Sequence, residues 1–261
     1  PDAEIIVVND GSTDDTGEIC RQYEIPQVSH PYSMGNGAAI KSGVRAATGD
    51  IIVFMDADGQ HDVHDIKRMI DKLNQGYEMV VGARTFDSHA SLARRYANLV
   101  YNKLASFMTG YKIEDLTSGF RVAKRDKFIK FLYLLPNGFS YPTTSTMAFF
   151  RSALPVGYVD IQAGDRKGKS HIRLFKDGLR FFIIIVKIGA LFSPMRLFLP
   201  ISAVLFMLGV SYYIYTYTVY DRFTNMSALI ILASLFIFLM GIMAEFLSSL
   251  HYKEIQEDDN K

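Results

Sequence analysis

Ile51–His61 reads IIVFMDADGQH: apolar residues run from Ile51 to Met55 and straight into two aspartates separated only by Ala57, followed by Gly, Gln and His. A short apolar run bounded by turn residues is a buried strand, yet carboxylates resist burial. Both conditions hold if the strand stops at Met55 and the aspartates stand at its exit. There a ligand or metal can satisfy them.

The neighbouring stretches supply the context. EIIVVNDGSTDDTGEICRQY is a strand over Glu4–Val8, a polar turn with Ser12, Thr13 and Asp14 as caps, and a helix. GAAIKSGVRAATGD is a short helix stopped by Gly49. DVHDIKRMIDKLNQG puts Val63, Ile66, Met69, Ile70 and Leu73 on one helical face and ends at Gly76. EMVVGAR is a further strand. Strands alternating with helices predict an α/β fold, a Rossmann-like, mostly parallel sheet with helices on both faces. In such sheets ligands collect beyond the carboxyl ends of the strands. Asn9–Asp10, Asp56–Asp58 and Gly82–Arg84 each follow a strand, so three polar ends are expected in one crevice.

Asp56 and Asp58 point to the same side of an extended chain, and Gln60 adds an amide oxygen two residues on. Two anionic oxygens and a carbonyl suit Mg²⁺ or Mn²⁺, which take phosphate oxygens and water as further ligands. A lone Asp-x-Asp is also compatible with a solvated acidic turn; the preceding strand and the other two strand ends favour the metal.

Beyond about residue 190 the chain turns apolar. Leu197–Tyr220 and Phe223–Ala244 carry no charge, and Asp221 and Arg222 alone separate them. About 20 apolar residues cross a bilayer core as a helix, so two spans joined by a tight turn are expected. Arg166, Lys167, Lys169, Arg173, Lys176, Arg180, Lys187 and Arg196 crowd the approach to the first span. The positive-inside tendency then puts that side, and the catalytic domain, in the cytoplasm. Within RLFKDGLRFFIIIVKIGALF the basic residues share one helical side opposite Phe, Ile and Val, the pattern of a helix lying in the headgroup layer. Cys20 is the lone cysteine, which fits a reducing compartment. A net charge of +1 says little about partners, and no nucleic-acid partner is expected. The expected organisation is a catalytic domain over 1–170, a juxtamembrane region over 171–192, spans within 193–250 and a polar tail over 251–261. The spans also offer a surface for self-association.

VVNDGSTDDT, GNGAAIKSGVRAATGDIIVFMDADGQH, VVGAR, DLTSGFR and RKGKS occur in this order. With them the chain resembles a family 2 glycosyltransferase of the polyprenyl-phosphate type, the group that includes dolichol-phosphate mannose synthase. The resemblance covers roughly residues 3–190 and implies a GT-A-like fold. It also implies a nucleotide-sugar donor of the GDP-mannose or UDP-glucose type, a divalent metal, and inverting transfer to a polyprenyl phosphate at a bacterial or archaeal plasma membrane. Carried over, it puts Asp10 at the nucleoside, Gly35 and Gly37 at the donor, and Asp56 by ribose and diphosphate. Asp58 and Gln60 fall at the metal, Arg84 and Arg121 at phosphate, and Asp115 at the base or acceptor-orienting position. Arg166 falls in a basic loop that closes over the site. Asn9 and Asn36 depart from the frequent Asp and Lys.

The chemistry agrees with these residue types. An acceptor phosphate is largely ionised at neutral pH, so the obstacle is bringing one anion up to another. Arginine meets it with a permanent charge and a planar fork. Asp115 is therefore expected to position rather than to abstract a proton.

ARRYANLVYNKLASFMTG is a helix with Arg94, Asn98 and Asn102 in one polar stripe, either lining the acceptor entrance or solvated. Two other readings exist. A haloacid-dehalogenase-like phosphatase also begins on Asp-x-Asp-Gly, but it needs a later second acid that GDRKGK lacks. A silent membrane-tethered scaffold would have no use for these carboxylates and arginines. Because Pro1 leads directly into an apolar strand of interior type, a further strand and helix, some 30 residues, are expected upstream.

Overall fold

The computed structural model describes residues 3–84, 92–138, 140–162, 164, 183, 186–187, 189–191 and 193–258. The chain divides into two units: Pro1–Ala105 with Tyr111–Ile184, and Ser106–Gly110 with Ile185–Lys261.

The first unit is α/β. In chain order it contains β1 (Val7–Asn9), α1 (Thr16–Gln22), β2 (Gln27–Ser29), α2 (Asn36–Ala46), β3 (Ile51–Phe54), α3 (His64–Leu73) and β4 (Met79–Arg84). Then come α4 (Leu92–Thr109), of which Ser106–Thr109 count with the second unit, β5 (Arg121–Lys124), α5 (Arg125–Ile129), α6 (Tyr141–Arg151) and β6 (Val156–Ile161). β1 and β2 pair in parallel, and the second sheet has the order β3-β5-β4-β6. β4 is parallel to β6, whereas β5 is antiparallel to both β3 and β4. β3, β4 and β6 therefore run one way and β5 alone is reversed.

Helices cover both faces of this sheet. Val53, Val122 and Val80 lie in register across three strands, and Met69 and Leu73 of α3 pack on that face with Phe120 and Ile161. The expected apolar stripe of α3 is present, except that Val63 stands before the helix and is exposed. Gly76 adopts φ +101° after α3, a left-handed stop that favours glycine. Phe54, Phe128, Phe131 and Phe149 form an aromatic layer on the opposite face.

α6 is buried on every side from Tyr141 to Phe150, although its sequence, YPTTSTMAFF, is half polar. Arg121 explains the hydroxyls. It is the first residue of β5, in register with Phe54 and Val81, and is 0 % exposed. Its Nη1 donates to Thr146 Oγ1 at 2.6 Å and Ser145 Oγ at 3.1 Å. Its Nε donates to the Ser118 carbonyl at 2.8 Å and its Nη2 to the Leu116 carbonyl at 3.2 Å. Ser145 and Thr146 in turn donate to the Tyr141 and Pro142 carbonyls, so each hydroxyl is used in both directions.

β1 is only half-buried, less than an interior strand requires. The sequence pattern alone did not reveal β2, β5 or β6.

The second unit contains α7 (Pro194–Tyr220) and α8 (Asn225–Asp258). Both are long and apolar enough to cross a membrane, and only 11 % and 17 % of their most apolar stretches are buried. That exposure suits lipid contact and not a soluble core. Asp221 takes a left-handed φ of 50° to end α7. Ser202 Oγ donates to the Ser234 carbonyl at 2.9 Å, and Arg196 Nη1 donates to the Phe107 carbonyl at 3.0 Å. Both helices exceed the expected spans: α7 starts at Pro194, before Leu197, and α8 runs on past Ala244 into the region expected to be a polar tail. Most of 171–192, with Arg173, Lys176 and Arg180, lies outside the described residues.

Arg121→Met keeps the side-chain length but strips two carbonyls and two hydroxyls of their donor. We expect a loss of at least about 3 kcal/mol, a fall of roughly 6–12 °C in the melting midpoint. Circular dichroism of the full chain in detergent would measure it; an unchanged midpoint would refute the bracing role.

Candidate active site

The reversal of β5 builds the site. Strands β3, β4 and β6 leave the sheet at one edge, and β5 enters at that same edge. The segment leading into β5, Asp115–Phe120, is thereby delivered to the crevice. Because Phe54 faces Arg121 across the ladder, residues just past Phe54 meet residues just before Arg121. A Cβ on Gly119 would lie 3.1 Å from Asp56 Oδ2 and 3.2 Å from the Tyr141 hydroxyl. The hydroxyl donates to the Gly119 carbonyl at 2.7 Å. A side chain at 119 would press on both groups, so glycine lets the loop approach them closely.

At the end of β4, Arg84 meets Asp115 through a two-pronged pair. Arg84 Nε donates to Asp115 Oδ2 at 2.8 Å and Nη2 to Oδ1 at 3.0 Å. Nη2 also donates to Thr117 Oγ1 at 2.6 Å. Asp115 Oδ1 further accepts the N–H groups of Thr117 at 3.0 Å and Ser118 at 3.1 Å. Burial alone would raise the Asp115 pKa, but Arg84 and these N–H donors outweigh it and hold the carboxyl below its ordinary range. Burial opposes the Arg84 charge, and Asp115 more than restores it. The pair is charged and fixed at neutral pH, with 26 % of the Arg84 side chain at the surface.

Asp56–Gln60 forms the turn after β3, with Gly59 at φ +73°. Asp56 is exposed and Asp58 half-buried. Gln60 N–H donates to Asp58 Oδ1 at 3.2 Å. Gln60 Nε2 donates to the Gly164 carbonyl at 3.1 Å, and Gly164 N–H returns a bond to the Gln60 carbonyl at 2.9 Å. With its nitrogen so engaged, the Gln60 amide offers Oε1 as ligand. Among the described residues no three His, Cys, Asp or Glu side chains gather into a metal site. Asp56, Asp58 and Gln60 carry oxygen donors only, a set that would suit Mg²⁺ or Mn²⁺ with phosphate and water completing the shell. The His61 ring stacks on Phe120 at 4.7 Å, and burial lowers its pKa although Asp56 and Asp58 pull it upward.

Three expected site positions have partners within the protein. Asp10 is tied to protein groups: Oδ1 accepts from His30 Nδ1 at 2.6 Å and Met34 N–H at 2.9 Å. Oδ2 accepts from Ser33 Oγ at 2.9 Å and Gly35 N–H at 2.8 Å. A carboxylate has about four acceptor positions, so in this structure Asp10 shapes the Ser33–Gly35 loop. Gly35 and Gly37 serve a backbone contact: added Cβ atoms would sit 2.5 Å from the Asn137 carbonyl oxygen and 1.9 Å from that of Pro136. Gly37 N–H donates to the Gly138 carbonyl and Ala38 N–H to that of Asn137, so these donors at the start of α2 are committed within the protein. Arg121, expected at phosphate, is wholly buried and braces β5 against α6. Arg166 lies outside the described residues. Tyr141, Thr117 and Gly164 were not singled out by the sequence; the glycine of TSGF was the available signal for the first.

Burial alone would raise the Asp10 pKa, but the hydrogen bonds from His30, Met34, Gly35 and Ser33 bring it to about 2. A depressed carboxyl contributes stability that is full above its unfolded pKa, about 4, and lost as pH falls towards 2. The Met34 and Gly35 amide resonances are expected to titrate with a midpoint near 2; a midpoint near 4 would contradict the clamp. Gly37→Ala should lower the melting midpoint, since the Pro136 carbonyl must move to admit a methyl group.

Residues 1–132 match Glycosyl transferase family 2, and residues 193–250 match the GtrB C-terminal hairpin. The chain is 32% identical to a dolichyl-phosphate hexose transferase of Haloferax volcanii over 48% of this chain and 54% of that one. It thus spans about half the length of that relative. It is 24% identical to glycosyltransferase AglJ of the same organism over 97% of this chain and 88% of AglJ. Glucosyl-3-phosphoglycerate synthase of Mycobacterium tuberculosis, crystallised with Mn²⁺, UDP-glucose and phosphoglyceric acid, shares the fold: TM-score 0.57, 19% identity, covering 70% of this chain and 68% of that one. The fold is therefore GT-A-like, and the phosphatase reading falls away. The ordered motifs, the sheet that gathers them and the matched residues together make the chain a member of glycosyl transferase family 2.

Proposed function

We propose that the chain moves a hexose, with inversion, from a nucleotide-sugar to a polyprenyl phosphate at the cytoplasmic face of a membrane. The observation that carries the reading is the meeting, at one sheet edge, of the acidic turn Asp56–Gln60 with the Arg84–Asp115 pair. The dolichyl-phosphate relative supports the acceptor class, and the two apolar helices support a membrane setting. A nucleotide-sugar donor and a divalent ion accord with the ligands of the mycobacterial neighbour.

Asp56, Asp58 and Gln60 would hold Mg²⁺ or Mn²⁺, which when bound offsets the donor's diphosphate charge and stabilises the departing nucleotide. The protein's own part is positional. A phosphate monoester has a second pKa of about 6, so the acceptor arrives with an ionised oxygen able to attack the anomeric carbon. The bond from that carbon to the diphosphate oxygen breaks as the new one forms. Arg84 supplies a fixed cation for the acceptor phosphate, and Asp115 orients its plane. An aspartate held below its usual pKa by Arg84 is a poor base, so the role of Asp115 is orientation.

Membranes containing the protein, given labelled nucleotide-sugars and polyprenyl phosphate, should pass label into extractable lipid only with a divalent ion. No lipid label with any donor of the panel would overturn the reading. Asp58→Asn should abolish metal-enhanced donor binding in calorimetry; enhancement surviving the change would dismiss the metal assignment. Asp115→Asn should cut turnover at least tenfold, about 1.4 kcal/mol of barrier, while donor affinity stays near wild type.

A further inference from the structure

We infer that Asn102 is a positioning residue of the transfer reaction, clamping the backbone on both sides of Asp115 and so fixing where the Arg84–Asp115 pair stands. The inference rests on the reaction proposed above and adds a residue to it.

Asn102 projects from α4, a helix of 18 residues, onto the loop that carries Asp115. Its Nδ2 donates to the Glu114 carbonyl at 2.6 Å, and its Oδ1 accepts the Leu116 N–H at 3.0 Å. One amide thus serves the residue before Asp115 and the residue after it. Among the described residues the loop has no ladder partner at these positions, and the N–H of the buried Leu116 needs an acceptor. A carboxamide of this length gives a donor and an acceptor together. Asp lacks the donor, Ser is shorter, and Gln carries an extra methylene. Leu116 is held again through its carbonyl by Arg121 at 3.2 Å, and it is 0 % exposed.

Asp115 is therefore gripped in two ways. Arg84, Thr117 and Ser118 fix its carboxylate, while Asn102 fixes the main chain from which that carboxylate projects. Losing the second grip leaves the ion pair intact but lets it drift as a unit. Misplacement of a positioning group by about 1 Å costs on the order of a hundredfold in rate. A helix is a stiffer mount for such a group than a loop. The polar stripe that includes Asn102, readable from the sequence as either an acceptor entrance or a solvated face, has at this position a structural partner in the Asp115 loop.

The test is a double-mutant cycle in the full chain. Asn102→Ala should lower kcat at least tenfold with donor KM within about twofold, and the melting midpoint should fall by only a few degrees, since two hydrogen bonds are lost while Ala favours the helix. In an Asp115→Asn background the same change should cost less than about twofold, since the group it positions is already impaired. Hydrogen exchange at the Leu116 amide should speed up. If Asn102→Ala is too unstable to assay, Asn102→Asp carries the test: it keeps an acceptor for Leu116 N–H, sets a carboxylate against the Glu114 carbonyl, and should show the same kcat loss. Additive losses in the cycle, or wild-type kcat in both Asn102 variants, overturn the inference while the Asp115 assignment stands. If Asp115→Asn itself leaves turnover intact, the assignment of Asp115 falls, and this inference with it.

Discussion

Burying a guanidinium among neutral partners constrains everything around it. Arg121 sits in register between Phe54 and Val81 at the first position of the reversed strand, and its donors must all find acceptors inside the protein. Two come from the carbonyls of the preceding loop and two from hydroxyls of α6. The loop that carries Asp115 is thus fixed by the same side chain that fixes the fully buried helix behind the sheet. A charge left without such partners in this interior would cost several kcal/mol, so the local path of residues 116–121 has little freedom. The reversal of β5 follows the same logic: only an entering strand can bring its lead-in loop to the edge from which β3, β4 and β6 depart.

Much of this was legible in the sequence, and the limits are physical. The apolar run before Asp56 announced a strand and an exit, and the α/β alternation announced the layered fold. The Asp56–Gln60 turn and Arg84 fell where strand ends predicted. Arg121 misled because charge in a motif is read as charge for a ligand; nothing in local composition says that hydroxyls 24 and 25 residues later will receive it. Gly35 and Gly37 misled for a related reason. Their lack of a Cβ admits a backbone neighbour, here residues 136–138, as readily as a phosphate. β5 was hidden because Arg-Val-Ala-Lys is too short and too charged at its ends to show a period. Sequence periodicity reports which face is apolar; it does not report which distant segment supplies a hydrogen bond.

The site divides its carboxylates by what they touch. Asp10 and Asp115 are both held in their ionised form, one by His30, Ser33 and two backbone N–H groups and one chiefly by an arginine, and both act on geometry. Asp56 and Asp58 stand nearer to solvent on a turn whose glycine leaves the chain free to bend.

The pair of apolar helices changes the quantity in which an acceptor should be counted. On the proposed reaction, a protein held at a bilayer by α7 and α8 would not search a volume for a lipid-borne phosphate; it would search an area. The relevant concentration is then the mole fraction of acceptor among lipids, and adding inert lipid at fixed total acceptor dilutes the reaction as surely as adding water dilutes one in solution. Tethering of this kind raises encounter frequency without any new contact at the site. A crevice that binds its acceptor phosphate only weakly can therefore still work near saturation.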